Sequence, residues 1–306
     1  MSRPLPRDLD AREIILFSGI RLIVADLDGT LLNPTTRAVV DLIQGMIPRL
    51  LRRGVRFTIA TGRALRGVSD VLARLSLPAT TPIALYNGSL GVDAGLTRVV
   101  WAQTIRADAA RRVVRWALTA QVPVLCYPSP ATVGGHLGEA PLGFTWNGLP
   151  APHPEPNGYS VKWEGPDSVQ LAPQCLALLI DLRGAERPIL PRGLESLDEF
   201  TVTMSGPSFL EVRPYRADKG HATATIASRL GVPLDAVLAL GDNDNDVEML
   251  RVSGLGIAVG NASENLRLVA DYSSTHSAEK GCLEIMRLVI AAHRYAPAFR
   301  RRGPES

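Results

Sequence analysis

Residues 22–31 read Leu-Ile-Val-Ala-Asp-Leu-Asp-Gly-Thr-Leu, and no other stretch limits the fold as much. An apolar run that ends abruptly in two carboxylates, followed by Gly29 and Thr30, predicts a buried strand delivering charge at its carboxyl end. Side chains at i and i+2 of a strand point the same way, so Asp26 and Asp28 converge unless the turn after Asp26 swings the second one round. Two adjacent negative charges are unfavourable without a metal, a held proton, or both. The plainer alternative is a strand-to-turn connection that uses Asp and Gly as turn formers.

At 306 residues the chain has room for two domains with packed cores. Net charge is +3, the pI is near 8.9, and Arg is interleaved with Asp and Glu, so no basic stripe for nucleic acid stands out. The run Arg300 to Arg302 reads as a solvated end. Cys126, Cys175 and Cys282 form neither a disulfide framework nor a C-x-x-C site, and read as buried small hydrophobes in a reducing compartment. The apolar segment Ile14 to Phe17 is too short for a signal peptide, and no run approaches the ~18 apolar residues needed to span a bilayer. The expected location is the cytoplasm.

In chain order, residues 1–19 carry no readable signal and are expected to be a flexible N-terminal extension. Val40, Ile43, Ile47, Leu50 and Leu51 fall at helical spacing, with a kink or break expected at Pro48 and a stop at Gly54. Val55 to Ala60 predicts a second buried strand, closed by Thr61, Gly62 and Arg63 ahead of a helix from Leu65 to Leu75. A third strand, Ile83 to Tyr86, ends in Asn87 and Gly88. This alternation predicts an α/β fold, a parallel sheet with helices on its faces and ligands at the strands' carboxyl ends.

From residue 89 the rhythm changes. A strand is expected at 98–105, an amphipathic helix at 107–120 and a strand at 122–127. The Pro- and Gly-rich segment from Pro128 to Asp167 then holds either short strands or a lid. Strands follow at 176–182, 200–204 and 209–212, with a helix around 189–197, so residues 89–213 form a domain-sized insertion. The first pattern resumes at Ala217 with a helix over 221–230 and a strand at 237–240 that runs into Gly241-Asp242-Asn243-Asp244-Asn245-Asp246. A helix at 247–251, strands at 256–259 and 270–273 and a helix from 281 to about 293 complete the chain.

Four strand or helix ends therefore carry the chemistry: Asp26 with Asp28, Thr61, Lys219, and Asp242 with Asn245 and Asp246. Those residue types suit phosphoryl transfer to a carboxylate, with Asp26 as nucleophile and Asp28 as general acid and base. Hard oxygen ligands without His or Cys favour Mg²⁺, with Asp26 and Asp242 as direct ligands and the backbone carbonyl of Asp28 as a third. Thr61, with Gly62 at the next helix's amino end, and the Asn245 amide offer donors to a phosphate, and Lys219 offers a point charge. Taken singly these positions have plainer readings: Thr61-Gly62 a helix cap, Lys219 a surface lysine, 242–246 an acidic turn. A calcium loop starting at Asp242 fails on spacing, because its sixth position is Val247 and its twelfth Ser253. Gly254, Gly256 and Gly260 match a dinucleotide fingerprint only loosely, and a Walker-type motif is absent.

In combination, Asp26-Leu27-Asp28-Gly29-Thr30-Leu31, Ala60-Thr61-Gly62-Arg63, Asn87-Gly88, Lys219-Gly220 and Gly241 through Asp246 resemble the ordered motifs of haloacid dehalogenase-superfamily phosphatases. Gly256 through Ala262 and Ala270-Asp271-Tyr272 are also similar to the Cof-type subgroup. The resemblance implies a Rossmann-like core, here residues 20–88 and 214–306, with an inserted α/β (type II) cap at 89–213. It further implies a Mg²⁺-dependent phosphomonoesterase, often of sugar phosphates. By motif position the nucleophile falls on Asp26, the acid/base on Asp28, the phosphate-binding groups on Thr61, Lys219 and Asn245, and the metal ligand on Asp242, supported by Asp246. Cap hinges are expected near Gly88 and at Arg213 to Ala217, and Trp146, His153, Tyr159, Trp163 and Arg216 are candidate substrate contacts. The expected partner is a small phosphorylated metabolite bound by a monomer or homodimer, with no nucleic acid and no membrane. A phosphomutase of the same superfamily and a non-catalytic phosphosugar-binding protein are the competing readings; a dehalogenase fits poorly, because displacing halide needs no metal.

Overall fold

The computed structural model describes residues 2–32, 41–129, 141–151, 161–183, 199–204 and 208–302. Its first part contains β1 (Arg3–Pro4), α1 (Ala11–Gly19), β2 (Leu22–Ala25), α2 (Asp41–Leu51), β3 (Arg56–Ile59), α3 (Ser69–Leu75), β4 (Pro82–Leu85), β5 (Leu90–Asp93) and β6 (Val99–Ala102). The middle contains α4 (Ala107–Thr119), β7 (Val124–Pro128), β8 (Leu142–Phe144), β9 (Lys162–Glu164), β10 (Cys175–Asp181), β11 (Phe200–Met204) and β12 (Phe209–Pro214). The last part contains α5 (Lys219–Arg229), β13 (Val237–Gly241), α6 (Val247–Val252), β14 (Leu255–Ala258), α7 (Glu264–Val269), β15 (Tyr272–Ser273) and α8 (Ala278–Arg302). The helix expected around 189–197 lies outside the described residues.

The core is a six-stranded sheet in the order β1-β15-β14-β13-β2-β3, with every neighbouring pair parallel. Both faces are covered, so the central strands β2, β13 and β14 are apolar and buried throughout rather than alternating with polar residues. Successive side chains of β2 go to opposite faces: Ile23 and Ala25 pack with Phe17, Ile47 and Ile285, while Leu22 and Val24 pack with Ile226, Met249 and Leu266. Helices α1, α2 and α8 thus cover one side of the sheet, and α5, α6 and α7 the other.

Residues 3–19 overturn the expectation of a flexible extension. Strand β1 adds to the sheet edge through Arg3↔Tyr272 and Pro4↔Ser273, and α1 packs along α8 with Phe17 fully buried. A capping box starts α1, with the Glu13 N–H donating to Asp10 at 2.8 Å and the Asp10 N–H donating to Glu13 at 2.9 Å. A strand of two residues leaves no periodicity to read, so the sequence is silent there. Helix α2 also continues through Pro48, which forgoes one backbone donor without ending the helix.

A second, mixed sheet has the order β11-β12-β10-β7-β8-β9, antiparallel except for the β8–β9 pair. One of its faces packs on α4 through Val113, Val114, Val124 and Cys126. Leu125, Tyr127 and Ala177, on the other face, join the core cluster, and the Tyr127 ring meets Tyr86 edge-on at 5.4 Å. This is the cap of the α/β architecture, lying over the core. Strands β4, β5 and β6 form a separate antiparallel sheet, tied to β3 by the Ala60↔Ala84 bridge. The Trp101 indole on β6 covers Gly91 and donates to the Gly88 carbonyl at 3.0 Å. The chain therefore stays on the core side until after β6.

Candidate active site

Strands β2 and β13 lie side by side at the middle of the core sheet with Ala25 opposite Leu240, so the segments leaving their carboxyl ends must meet. Asp26 is 4% exposed, and its N–H donates to the Leu240 carbonyl at 3.0 Å. Lys219 opens helix α5, which Asp218 caps by accepting the His221 N–H. The Lys219 side chain is fully buried, with Nζ 2.7 Å from Asp26 Oδ1 and 2.6 Å from Asp246 Oδ1. The other Asp246 oxygen accepts the N–H groups of Asp242 at 3.0 Å and Asn243 at 3.1 Å, which wraps the loop after β13 around this carboxylate.

Asp242 completes the centre. Its Oδ1 accepts the Thr30 hydroxyl at 2.8 Å, and the Asn261 amide lies 3.4 Å from Oδ2 while donating to the Gly29 carbonyl at 2.9 Å. Gly29 has φ +90°, and a Cβ there would stand 2.2 Å from Asp242 Oδ2. Glycine is therefore required both by the backbone and by the closeness of Asp242.

Burial would discharge Lys219, but Asp246 and Asp26 hold its pKa above the ordinary value, so it remains an ammonium. Burial also pushes the Asp26 carboxyl up against the pull of Lys219, and the neighbouring Asp246 and Asp242 add to that push. Asp242 is pushed up to about 6 by burial and by Asp246, against the Thr30 hydrogen bond and Lys219. Three carboxylates thus share one buried ammonium, and the cluster is short of positive charge. One oxygen from each of Asp26, Asp242 and Asp246 lies within 4.8 Å of the others. That donor set, all hard oxygen and without His or Cys, fits a hard divalent cation.

Asp28 follows the second of the two arrangements left open by the sequence, in which the turn after Asp26 swings it round. The turn after Asp26 carries it outward, to 48% side-chain exposure, where the Arg63 guanidinium grips both carboxylate oxygens. Its carboxylate is not part of the metal-competent cluster. Thr61 is buried, and its hydroxyl accepts the Arg63 N–H at 3.2 Å; Gly62 is exposed beside the Asn87 amide. The Asn245 amide donates to Asn87 Oδ1 at 3.0 Å.

Sequence reading assigned no role to Thr30, Arg63, Asn87, Glu211 or Asn261. The first three and Asn261 sit inside the quoted motifs, whereas Glu211 is an isolated acid in a strand and gives no local signal. Of the candidate substrate contacts, Trp163, Trp146 and Arg216 lie among the described residues. Trp163 lies flat on Gly143, Trp146 is 39% exposed, and the Arg216 guanidinium lies 5.3 Å over Tyr215. His153 and Tyr159 lie outside the described residues.

The sequence profile of the haloacid dehalogenase-like hydrolases matches residues 23–137 and 183–286, both sides of the cap included. The chain belongs to this family. Among relatives of this hydrolase, phosphatase YwpJ of Bacillus subtilis is 25% identical over 291 residues, covering 89% of this chain and 100% of YwpJ. The chloroplastic endoribonuclease YBEY of Arabidopsis thaliana is 25% identical over 281 residues, 90% of this chain but 46% of that protein. The chain therefore spans about half the length of that plant relative. Among solved structures, the subclass IIB sugar phosphatase BT4131 superposes with a TM-score of 0.66 at 18% identity, covering 87% of this chain and 98% of BT4131. With phosphatases aligned along nearly its whole length, this family member is an enzyme of the phosphatase class.

Proposed function

We propose that the protein is a Mg²⁺-dependent phosphomonoester hydrolase that works through an aspartyl-phosphate on Asp26 and acts on small phosphorylated metabolites, sugar phosphates foremost. The observation that carries this reading is the buried cluster in which Lys219 bridges Asp26 and Asp246 beside Asp242. One ammonium and three carboxylates leave room for a divalent cation and then for a phosphate dianion.

Asp26, Asp242 and Asp246 would hold Mg²⁺, with the backbone carbonyl of Asp28 added, and the bound ion supplies positive charge to the phosphate oxygens. An Asp26 oxygen attacks phosphorus and the bond from phosphorus to the ester oxygen breaks, while Asp28 gives its proton to the departing alkoxide. Asp28 then takes a proton from water; the water oxygen attacks phosphorus, the bond to Asp26 breaks, and inorganic phosphate leaves with Asp26 restored. Thr61 and Asn245 donate hydrogen bonds to phosphate oxygens, with the Gly62 backbone beside them, and Lys219 keeps Asp26 oriented and partly neutralised. The mixed sheet over this site excludes bulk water.

The division into a core of 20–88 and 214–306 and a cap of 89–213 stays a proposal, with residues 1–19 now adding an edge strand to the core. The pairing of β5 and β6 with β4 supports an entry into the cap nearer Ile105 than residue 89. Among the described residues no helix is long and apolar enough to cross a membrane. All three cysteines are free and buried, which supports a reducing compartment and so the cytoplasm. Release of inorganic phosphate from a panel of sugar phosphates, nucleotides and phosphoglycerate derivatives, with and without Mg²⁺, tests the reading. A set of hydrolysed substrates that all require Mg²⁺ supports it, and no release from any member opposes it.

A further inference from the structure

Glu211, on β12 of the cap sheet, is 9% exposed, and Asn87, at the end of the segment leaving β4, is 6% exposed. The Asn87 amide nitrogen donates to both Glu211 oxygens, at 3.1 and 2.9 Å, across 124 residues of sequence. Its amide oxygen accepts the Asn245 amide N–H at 3.0 Å. The backbone N–H of Asn87 donates to the Thr61 carbonyl at 2.9 Å, and a Cβ on Gly62 would stand 3.2 Å from the Asn87 amide. Asn87 therefore touches Thr61, Gly62 and Asn245, the three positions assigned to the phosphate, and ties them to one buried carboxylate of the cap. Asn87 holds φ +52°, a left-handed backbone that Asn tolerates better than most residues.

The direction of this chain follows from Glu211. Burial pushes the Glu211 carboxyl up, against the pull of Arg213, the Asn87 hydrogen bond and Lys219. Both of its oxygens accept from the Asn87 NH₂, and as a carboxylate it only accepts, so it fixes the Asn87 amide with its NH₂ toward the cap and its carbonyl toward Asn245. A carbonyl presented to Asn245 in turn demands the NH₂ of that residue, and uses one of its two hydrogens. The other hydrogen stays available on the donor side, which is the side an anion requires. An Asn245 amide turned the other way would present oxygen to phosphate. Arg213 Nε lies 3.8 Å from Glu211, too far for a hydrogen bond but close enough to balance the buried charge.

We propose that Glu211 and Asn87 are positioning residues for the phosphate site, forming a polar relay that orients the Asn245 amide as a donor and makes phosphate affinity depend on the seating of the cap. The relay rests on the reading of Asn245 as a phosphate ligand. It also gives the cap a means of acting on the core site without touching the substrate. Opening the cap removes the acceptor that sets the amide direction, and closing it restores that acceptor.

The test uses inorganic phosphate as a competitive inhibitor, together with KM, kcat and melting temperature, on the full chain. Glu211→Gln and Asn87→Asp are each isosteric, and either one, folded, is sufficient. Each single variant is expected to raise the inhibition constant for phosphate about tenfold, with KM rising more than kcat falls: Glu211→Gln because an amide no longer fixes the direction of the Asn87 amide, and Asn87→Asp because two carboxylates then face each other and drive the side chain at position 87 off Asn245. The double variant Asn87→Asp with Glu211→Gln reverses the pair. The carboxylate then standing at position 87 accepts from both neighbours, so Asn245 again turns its NH₂ outward, and phosphate affinity is expected to return to within about threefold of the parent. Loss of affinity in the single variants with recovery in the double supports the relay. Unchanged affinity in both single variants, while Asn245→Ala weakens phosphate binding, overturns the relay alone. Unchanged affinity in Asn245→Ala overturns the phosphate reading of Asn245, and the relay with it.

Discussion

Arg63 donates to both carboxylate oxygens of Asp28, from Nε at 2.7 Å and from Nη2 at 2.6 Å, while its Nη1 is held by the Gly67 carbonyl at 2.7 Å. A guanidinium fork of this kind fixes a carboxylate in orientation as well as charge. The proposed acid and base is thereby separated from Asp26, which Lys219 holds instead, so two carboxylates one residue apart receive different partners.

Asp28→Asn is expected to reduce turnover of alkyl phosphates by about 10²- to 10⁴-fold, the usual contribution of general acid catalysis. The loss should be much smaller for p-nitrophenyl phosphate, whose leaving group needs no proton. Arg63→Lys should show the same preference with a lesser loss, because one ammonium cannot replace the fork. Measuring kcat/KM on both substrates checks this, because it reports the transfer to Asp26 and not the later hydrolysis of the aspartyl-phosphate; equal losses in kcat/KM would remove Asp28 from the general-acid role.

Lys219 is a buried charge with two buried partners, and removing it leaves those carboxylates uncompensated. Lys219→Met, close in volume, is expected to lower stability by about 3–5 kcal/mol in metal-free buffer. Mg²⁺ should return part of that loss by supplying the missing charge. Urea denaturation with Mg²⁺ and with chelator reports both terms; a variant as stable as the parent without metal would contradict the charge balance described for the cluster.

Asp242, pushed up to about 6, holds a proton below that pH, and the proton competes with a cation for the carboxylate. Divalent affinity should therefore fall as pH drops through about 6 and rise above it, and the upward push on Asp26 extends the rise further. Calorimetric titration with Mg²⁺ in two buffers of different ionisation enthalpy should reveal protons released on binding. An affinity flat from pH 5 to about 8, with no proton release, would contradict the assignment.

The parts legible in the sequence were those written locally. Asp26, Thr61 and Asp242 each follow an apolar run at a strand's carboxyl end, so strand pattern and polar residue point to one place before any contact is known. Lys219 was legible only through its order among the motifs, because burial of a lysine between two acids has no local signature. Glu211 was not legible at all: its meaning comes from Asn87, 124 residues away. The edge strand β1 and the cap strands β8 and β9 are two or three residues long, below the length at which alternation can be seen. Helix α7 was not read either, although Ser263 caps it by accepting the Leu266 N–H.

The central claim is a phosphoryl group carried by Asp26. Enzyme mixed with radiolabelled phosphate ester and Mg²⁺, quenched in acid within a turnover and digested, should yield label on the peptide containing Asp26, and the label should be absent from Asp26→Asn and from metal-free enzyme. Label on another residue, or rapid Mg²⁺-dependent phosphate release by Asp26→Asn with no labelled peptide, would contradict it.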